Sequence, residues 1–153
     1  LNVPAIVGFG KAVELATRDM HTVNLKLRNL RDYLQNKITE KIPGARFNGH
    51  AFQRLPQILS MSFDCVDGES LLTMLDMEGI CVSTGSACTS GSIEPSYVLK
   101  AMGVKPESIS GTIRFSLSKA TTKEDLDYTV DRLAKIVERL REISPLQLKG
   151  GNK

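Results

Sequence analysis

The sequence predicts an α+β fold in which a small, mainly antiparallel sheet has helices on one face and follows a long N-terminal helix. Apolar residues recur at three- and four-residue steps from Ile6 to Ile38, which is typical of an amphipathic helix. Residues 112–118 alternate between apolar and polar, as in a strand with one buried face. Helical spacing returns after Thr121, so helices and strands interleave along one short chain, as they do in α+β domains.

The first helix is the longest predicted element. Pro4 suits a first helical turn, and Pro43-Gly44 ends the helical pattern. Residues 17–22 are the expected site of a break, because Asp19 and Thr22 are better suited to caps than to helix interiors. The segment is therefore one helix or two in line. Unbroken, it would extend about 50 Å, which is longer than a domain of this size is wide.

A hairpin and a helix follow. Residues 45–48 read as a short strand, Asn48-Gly49 as a turn, and residues 57–64 as a second strand with one apolar face. Asp67 begins a helix that Gly79 ends. Residues 80–82 then form a short apolar strand.

The remaining elements lie after a long segment of small residues. Residues 83–92 contain no large side chain and cannot anchor a core. A short helix is predicted from Pro95 to Gly103, and the alternating strand follows it. Thr121 and Glu124 form a capping box for the last helix, which ends at Ser144-Pro145.

Composition restricts the class of protein. A chain of 153 residues with 41% hydrophobic and 24% charged residues can form one compact domain. The net charge of +3 is small and charges of both signs are interspersed, so no basic face indicates a nucleic-acid partner. No apolar run is long enough to span a bilayer and no signal peptide is evident, so a cytoplasmic protein is expected. The chain opens at Leu1 without a Met, which suggests a piece of a longer protein.

The three cysteines have different surroundings. An odd number argues for reduced thiols and against a disulfide framework. Cys81 lies between Ile80 and Val82 and is expected to be structural, and packing is also the expected role of Cys65. Cys88 lies among Gly, Ser, Ala and Thr, so its thiol should be exposed and mobile. Exposure alone does not make it a nucleophile, because a thiol with the ordinary pKa near ~8.5 is only a few per cent thiolate at neutral pH.

Other cysteine chemistries have less support. A zinc site requires paired Cys or His at short spacing, and the sequence has no C-x-x-C. A Cys–His hydrolase would need His21 or His50 beside the thiol, and both are expected to be surface or hydrogen-bonding residues. A Cys81–Cys88 disulfide is geometrically possible, and nothing in the sequence favours it.

Residues 82–99 carry a specific resemblance. Their sequence, VSTGSACTSGSIEPSYVL, closely resembles the catalytic cysteine loop of cysteine desulfurases of the NifS/IscS type, in the class-V aminotransferase family. Four flanking segments resemble the same family in the same order. They are Asn2–Ala12, Arg54-Leu55-Pro56, Asp67–Leu71 and Thr112–Leu117. The first of them resembles the helix that links that family's large and small domains. The resemblance covers the whole chain except its last few residues.

The resemblance implies an activity and two site residues. These enzymes use pyridoxal phosphate to convert cysteine to alanine, and the loop cysteine takes the sulfur as a persulfide for an iron-sulfur scaffold protein. Cys88 would be that nucleophile. Arg114 would bind the α-carboxylate of the substrate, although without the resemblance it would be read as an ordinary surface arginine. The intact enzyme is expected to be a homodimer.

The resemblance also implies a division of the chain and a missing part. Residues 1–42 would be the interdomain helix or helices, 43–145 the α+β small domain with its cysteine loop at 83–95, and 146–153 a flexible tail. The family's Schiff-base lysine directly follows a histidine, but Thr22 follows His21 here and Ala51 follows His50. The lysine and the other cofactor-binding residues would therefore lie in a missing N-terminal large domain, so the isolated chain is expected to be inactive.

Two further functions stay open. The chain could be a non-enzymatic sulfur-carrier or interaction module that receives a persulfide at Cys88. It could also belong to a related aminotransferase-like protein that works on another substrate, such as selenocysteine.

Overall fold

The structure, a computed structural model, describes residues 1–84 and 96–144. Its elements are α1 (Val3–Lys41), β1 (Ala45–Asn48), β2 (Ile58–Phe63), α2 (Gly68–Met77), β3 (Ser83–Thr84), α3 (Tyr97–Ala101), α4 (Pro106–Ile109), β4 (Thr112–Ser116) and α5 (Lys123–Ile143). The four strands form one sheet in the order β1-β2-β4-β3, and all neighbouring strands are antiparallel. The predicted fold class is confirmed.

Helix α1 is continuous over 39 residues, or about 58 Å. The break predicted at residues 17–22 is absent because the polar residues there face solvent and leave the backbone undisturbed: Arg18 forms an ion pair with Asp19, which lowers the pKa of Asp19. The first fully buried residue of the helix is Leu27. The N-terminal half of α1 therefore extends beyond the domain core. In the described ranges, no helix is long and apolar enough to cross a membrane.

The core lies between one face of the sheet and helices α1, α2 and α5. The residues that share this core include Leu34, Ile38, Leu59, Met61, Phe63, Leu71, Leu75, Ile113, Phe115, Leu133 and Val137. The predicted alternation in β2 and β4 is confirmed, because Leu59, Met61 and Phe63 point into this core together with Ile113 and Phe115.

Helix caps differ in how closely they follow the predictions. Asp67 caps α2 by accepting a hydrogen bond from the Ser70 backbone N–H at 2.8 Å, as expected, and Gly79 ends that region with φ +74°. The capping box of α5 is one residue later than predicted, at Thr122 and Asp125 instead of Thr121 and Glu124. The Thr121 hydroxyl is already occupied, because it accepts a hydrogen bond from the Ser118 N–H at 3.0 Å.

The third strand also lies later than predicted. The Ile80 N–H donates to the Leu75 carbonyl at 2.9 Å, so Ile80 is part of the cap that follows α2, and the chain joins the sheet only at Ser83. Cys81 is consequently exposed, and the prediction that it is structural is wrong. Cys65 is partly buried in a turn with φ +61°.

Gly111 occupies a position where any side chain would collide with backbone. A Cβ there would lie 2.3 Å from the Phe63 carbonyl oxygen and 2.7 Å from that of Val66. Backbone cannot move aside cheaply, so Gly111→Ala is expected to lower the free energy of unfolding by about 2–3 kcal/mol. Urea titration of the purified chain measures it. Gly8→Ala is the control, since nothing lies within 4 Å of a Cβ on Gly8. Equal stability of the two variants would contradict this prediction.

Asp131 joins α1 to α5. Its carboxylate accepts hydrogen bonds from Lys41 at 3.0 Å and Lys135 at 2.8 Å, which lowers the pKa of Asp131 to about 2. Since this is below the ordinary value of ~3.9, the contribution to stability is present above that value and disappears as the pH falls through 2.

Asp131→Asn is therefore expected to lower the urea midpoint at pH 6 and to lower it much less near pH 2. The difference should be small, because the three side chains are about half exposed and solvent screens their attraction. Glu138→Gln, on the same helix and without an ion pair in the described part of the chain, is the control. A deficit as large at pH 2 as at pH 6 would show that the effect is not electrostatic.

Candidate functional site

A row of polar residues crosses the face of the sheet opposite the core. Ser60 on β2 is in register with Asn48 on β1 and with Arg114 on β4, and Arg114 is in register with Ser83 on β3. Residues in register on antiparallel strands have side chains on the same face, with Cβ atoms about 5 Å apart. The four side chains therefore form one continuous polar strip across all strands.

Arg114 is the charged member of this strip. The side chains before and after it, Ile113 and Phe115, are buried in the core, which fixes the backbone on which Arg114 stands. Arg114 itself is exposed, and no carboxylate of the described residues pairs with it. An unpaired guanidinium on a rigid strand has the donor geometry to bind a carboxylate by two parallel hydrogen bonds.

A buried hydrogen-bond network lies beside the strip and was not predicted. The hydroxyls of Ser62 and Thr112 are 2.7 Å apart, and Thr112 donates to the Ser108 carbonyl of α4 at 2.9 Å. All three residues are less than 3% exposed. Sequence alternation placed Thr112 on the polar face correctly, but it gave no sign that α4 covers part of that face. The only signal is that Ser62 and Thr112, the two strand residues of this network, have small side chains.

An arginine cluster holds the segment before β2 against α1. Arg31, which is 3% exposed, donates to Asp32 and to the Leu55 carbonyl at 2.8 Å. Arg54 donates to the same Asp32 oxygen at 3.0 Å, and its guanidinium lies 4.2 Å from the centre of the Phe47 ring. Burial lowers the pKa of Arg54, and the neighbouring Arg31 lowers it further. These arginines have internal partners, so their role is structural.

The remaining sequence candidates do not assemble into a second site. Cys88 lies outside the described residues. His21 is exposed on α1, and the His50 ring accepts hydrogen bonds from the Phe52 and Gln53 N–H groups, so it stabilises a turn. Cys65 and Cys81 are free thiols. Within residues 1–84 and 96–144, no three His, Cys, Asp or Glu side chains come together as a metal site.

Comparison with known proteins gives consistent matches. The family model described as "Aminotransferase class-V" matches residues 1–129. The chain is 50% identical over 144 residues to a cysteine desulfurase IscS from Dictyoglomus turgidum, covering 94% of this chain and 36% of that protein. It is 48% identical over 145 residues to a cysteine desulfurase IscS from Methanosarcina thermophila, covering 95% of this chain and 36% of that protein.

Solved structures give the same result. A NifS-like protein superposes with a TM-score of 0.78 at 32% identity, covering 91% of this chain and 34% of that chain. The NifS-like protein from Rickettsia africae superposes with a TM-score of 0.76 at 31% identity, covering 90% of this chain and 35% of that chain. The chain thus spans about a third of the length of the relatives that it matches.

The residues that the structure describes do not fit a covalent pyridoxal phosphate site. A lysine that forms a Schiff base is usually desolvated or placed beside another cation, which makes its amine neutral and nucleophilic. Every lysine in the described ranges is at least partly exposed. Several of them, such as Lys11, Lys41 and Lys135, already form ion pairs with carboxylates.

Proposed function

Because this chain belongs to the class-V aminotransferase family, we propose that it is the C-terminal part of a cysteine desulfurase that converts cysteine to alanine. Arg114 would bind the substrate carboxylate, and Cys88 would take the sulfur as a persulfide. The observation that carries this proposal is that Arg114 has no ion-pair partner among residues 1–84 and 96–144 and is in register with Ser83, on the strand that leads into the Cys88 segment.

Chain geometry supports cooperation between Cys88 and Arg114. Ser83 is the ladder partner of Arg114, and Cys88 follows Ser83 by five residues. Five residues span at most about 18 Å, so the chain length keeps Cys88 within that distance of Ser83. A nucleophile that attacks a substrate held by Arg114 must be tethered nearby.

The proposed sulfur transfer uses the Cys88 thiolate. The thiolate attacks the sulfur of the substrate, an S–S bond forms and the bond between that sulfur and the substrate's β-carbon breaks. The electron pair of the broken bond remains with the carbon, which takes up a proton, and alanine leaves. Cys88 then carries the persulfide, which an iron-sulfur scaffold protein would accept.

The cofactor would be bound by a part of the protein that this chain does not contain. Pyridoxal phosphate supplies the electron sink for carbanion chemistry in such enzymes, and an N-terminal large domain would carry its lysine. The exposed half of α1 supports such a domain. Ile6, Phe9, Val13 and Met20 continue the helical stripe of the buried Leu27, but each is 48–73% exposed. We further propose that the intact protein is a cytoplasmic homodimer.

The proposal is tested by combining this chain with a purified large domain from a relative, pyridoxal phosphate and L-cysteine. Formation of alanine and sulfide that requires both parts, and that is lost with Cys88→Ala, would support the desulfurase. Persulfide on Cys88 from a sulfur donor, without alanine under any of these conditions, would instead identify a non-enzymatic sulfur carrier. Alanine formation only from selenocysteine would identify a different substrate class.

A further inference from the structure

The polar network fixes the direction of each of its hydrogen bonds. The Thr112 hydroxyl donates its single proton to the Ser108 carbonyl at 2.9 Å, since a carbonyl can only accept. The 2.7 Å contact between Thr112 and Ser62 must therefore be donated by Ser62. Ser62 has then used its own proton, so its remaining contact must be one in which it accepts.

That remaining contact determines the orientation of the Asn48 amide. Asn48 Nδ2 lies 2.7 Å from Ser62 Oγ and 3.3 Å from Ser60 Oγ. An amide nitrogen has two protons, and both contacts are donated by it. With the Asn48 amide flipped, its oxygen would face Ser62 Oγ, and neither atom would have a proton to donate to the other. The network therefore supports the orientation in which the Asn48 nitrogen faces Ser62. Ser60 is consequently an acceptor toward Asn48.

The result is a hydroxyl with an uncommitted proton next to Arg114. Ser60 Oγ accepts from Asn48, and among the described residues nothing accepts the Ser60 proton. Ser60 is in register with Arg114, on the face that carries the unpaired guanidinium. We infer that Ser60 is a second donor to the carboxylate that Arg114 binds, with Asn48 as the positioning residue that keeps the Ser60 hydroxyl a donor. This inference rests on the proposed function.

The chemistry of a carboxylate suits this pair of donors. Each of its oxygens has two acceptor positions, so one carboxylate can accept the guanidinium fork and a further hydroxyl proton. Charge-assisted bonds of this kind are stronger than neutral ones. A hydroxyl also limits the directions from which a carboxylate can approach Arg114, because the Ser60 donor lies on the β2 side of the arginine only.

The test compares Ser60→Val with Ser60→Thr in the full-length protein with its cofactor. The two side chains have the same shape, and only Thr keeps a hydroxyl. Losing a hydrogen bond to a charged group is expected to raise KM for L-cysteine about tenfold in Ser60→Val, with kcat changed by less than about twofold. Ser60→Thr should recover most of the loss. Ser116→Ala, an exposed serine on the same strand as Arg114, should behave as wild type.

Thermal unfolding of all three variants separates a role in binding from a structural role. A structural role of Ser60 would lower Tm in Ser60→Val, whereas a role in binding would raise KM and leave Tm unchanged. Equal KM values for the Val and Thr variants would overturn the inference. An Arg114 variant tested in parallel keeps the two proposals distinct. If Ser60→Val leaves KM for L-cysteine unchanged but Arg114→Lys raises it, only this inference is wrong. If neither variant changes KM, the proposed function is wrong, and this inference is wrong with it.

Discussion

Replacing Cys88 with alanine in the full-length protein is expected to lower kcat/KM for alanine formation from L-cysteine by at least about 10³-fold. In the proposed mechanism the new S–S bond forms on the Cys88 sulfur, so no other side chain can replace it. Substrate binding through Arg114 should be retained, so KM or a substrate Kd should change little. The variant then separates loss of chemistry from loss of binding.

Two other cysteines supply matched controls. Cys81 is exposed seven residues before Cys88 and Cys65 lies in a turn, and Cys81→Ala and Cys65→Ala should both retain near wild-type rates. Intact-mass measurement after a rapid acid quench should show one added sulfur atom on wild type and on both controls, and none on Cys88→Ala. Full activity in Cys88→Ala, or loss of the added sulfur in Cys81→Ala, would contradict the assignment.

Sequence patterns predicted the elements whose signals are local. The alternation in β2 and β4 follows from burying one face of a sheet, and Leu59, Met61 and Ile113 are almost completely buried as that requires. The Asp67 cap and the left-handed Gly79 are likewise confirmed. Each lets the free backbone N–H or C=O groups at one end of α2 form hydrogen bonds, and neither depends on residues far away in the sequence.

The wrong predictions concern features decided by tertiary contacts. Cap-forming residues at 17–22 did not break α1, because their side chains simply face solvent. The strand after α2 begins later than predicted because the Ile80 N–H is hydrogen-bonded to the Leu75 carbonyl of α2. Helix α4, only four residues long, was missed, since so short a helix has no periodicity to detect.

The candidate site was predictable only in part, because it too depends on tertiary contacts. Arg114 was named from the resemblance, because alternation alone cannot separate a binding arginine from a surface one. The structure adds that Arg114 lacks a partner within the described ranges and that Ser83 and Ser60 flank it in register. Ser60 could not be singled out from sequence, because its role depends on a network that joins three strands and α4.

Changing Arg114 to lysine in the full-length protein is expected to lower kcat/KM for L-cysteine by about 10²-fold, and changing it to glutamine by about 10³-fold. Lysine keeps the charge but loses the planar fork that donates two parallel hydrogen bonds to one carboxylate. Glutamine loses the charge as well. Steady-state assays of alanine formation should show the loss chiefly in KM for the lysine variant, because a single ammonium binds the carboxylate more weakly than the two-bond guanidinium fork does.

Arg46 provides the control on the same face of the sheet. Its guanidinium already pairs with Asp64 and donates to the Ser108 hydroxyl at 3.1 Å, so it is not available for a substrate. Arg46→Gln should therefore lower Tm and leave KM unchanged, whereas Arg114→Gln should raise KM and leave Tm nearly unchanged, since Arg114 has no partner to lose among the described residues. The opposite pattern would mean that the carboxylate binds beside β1 and not at β4.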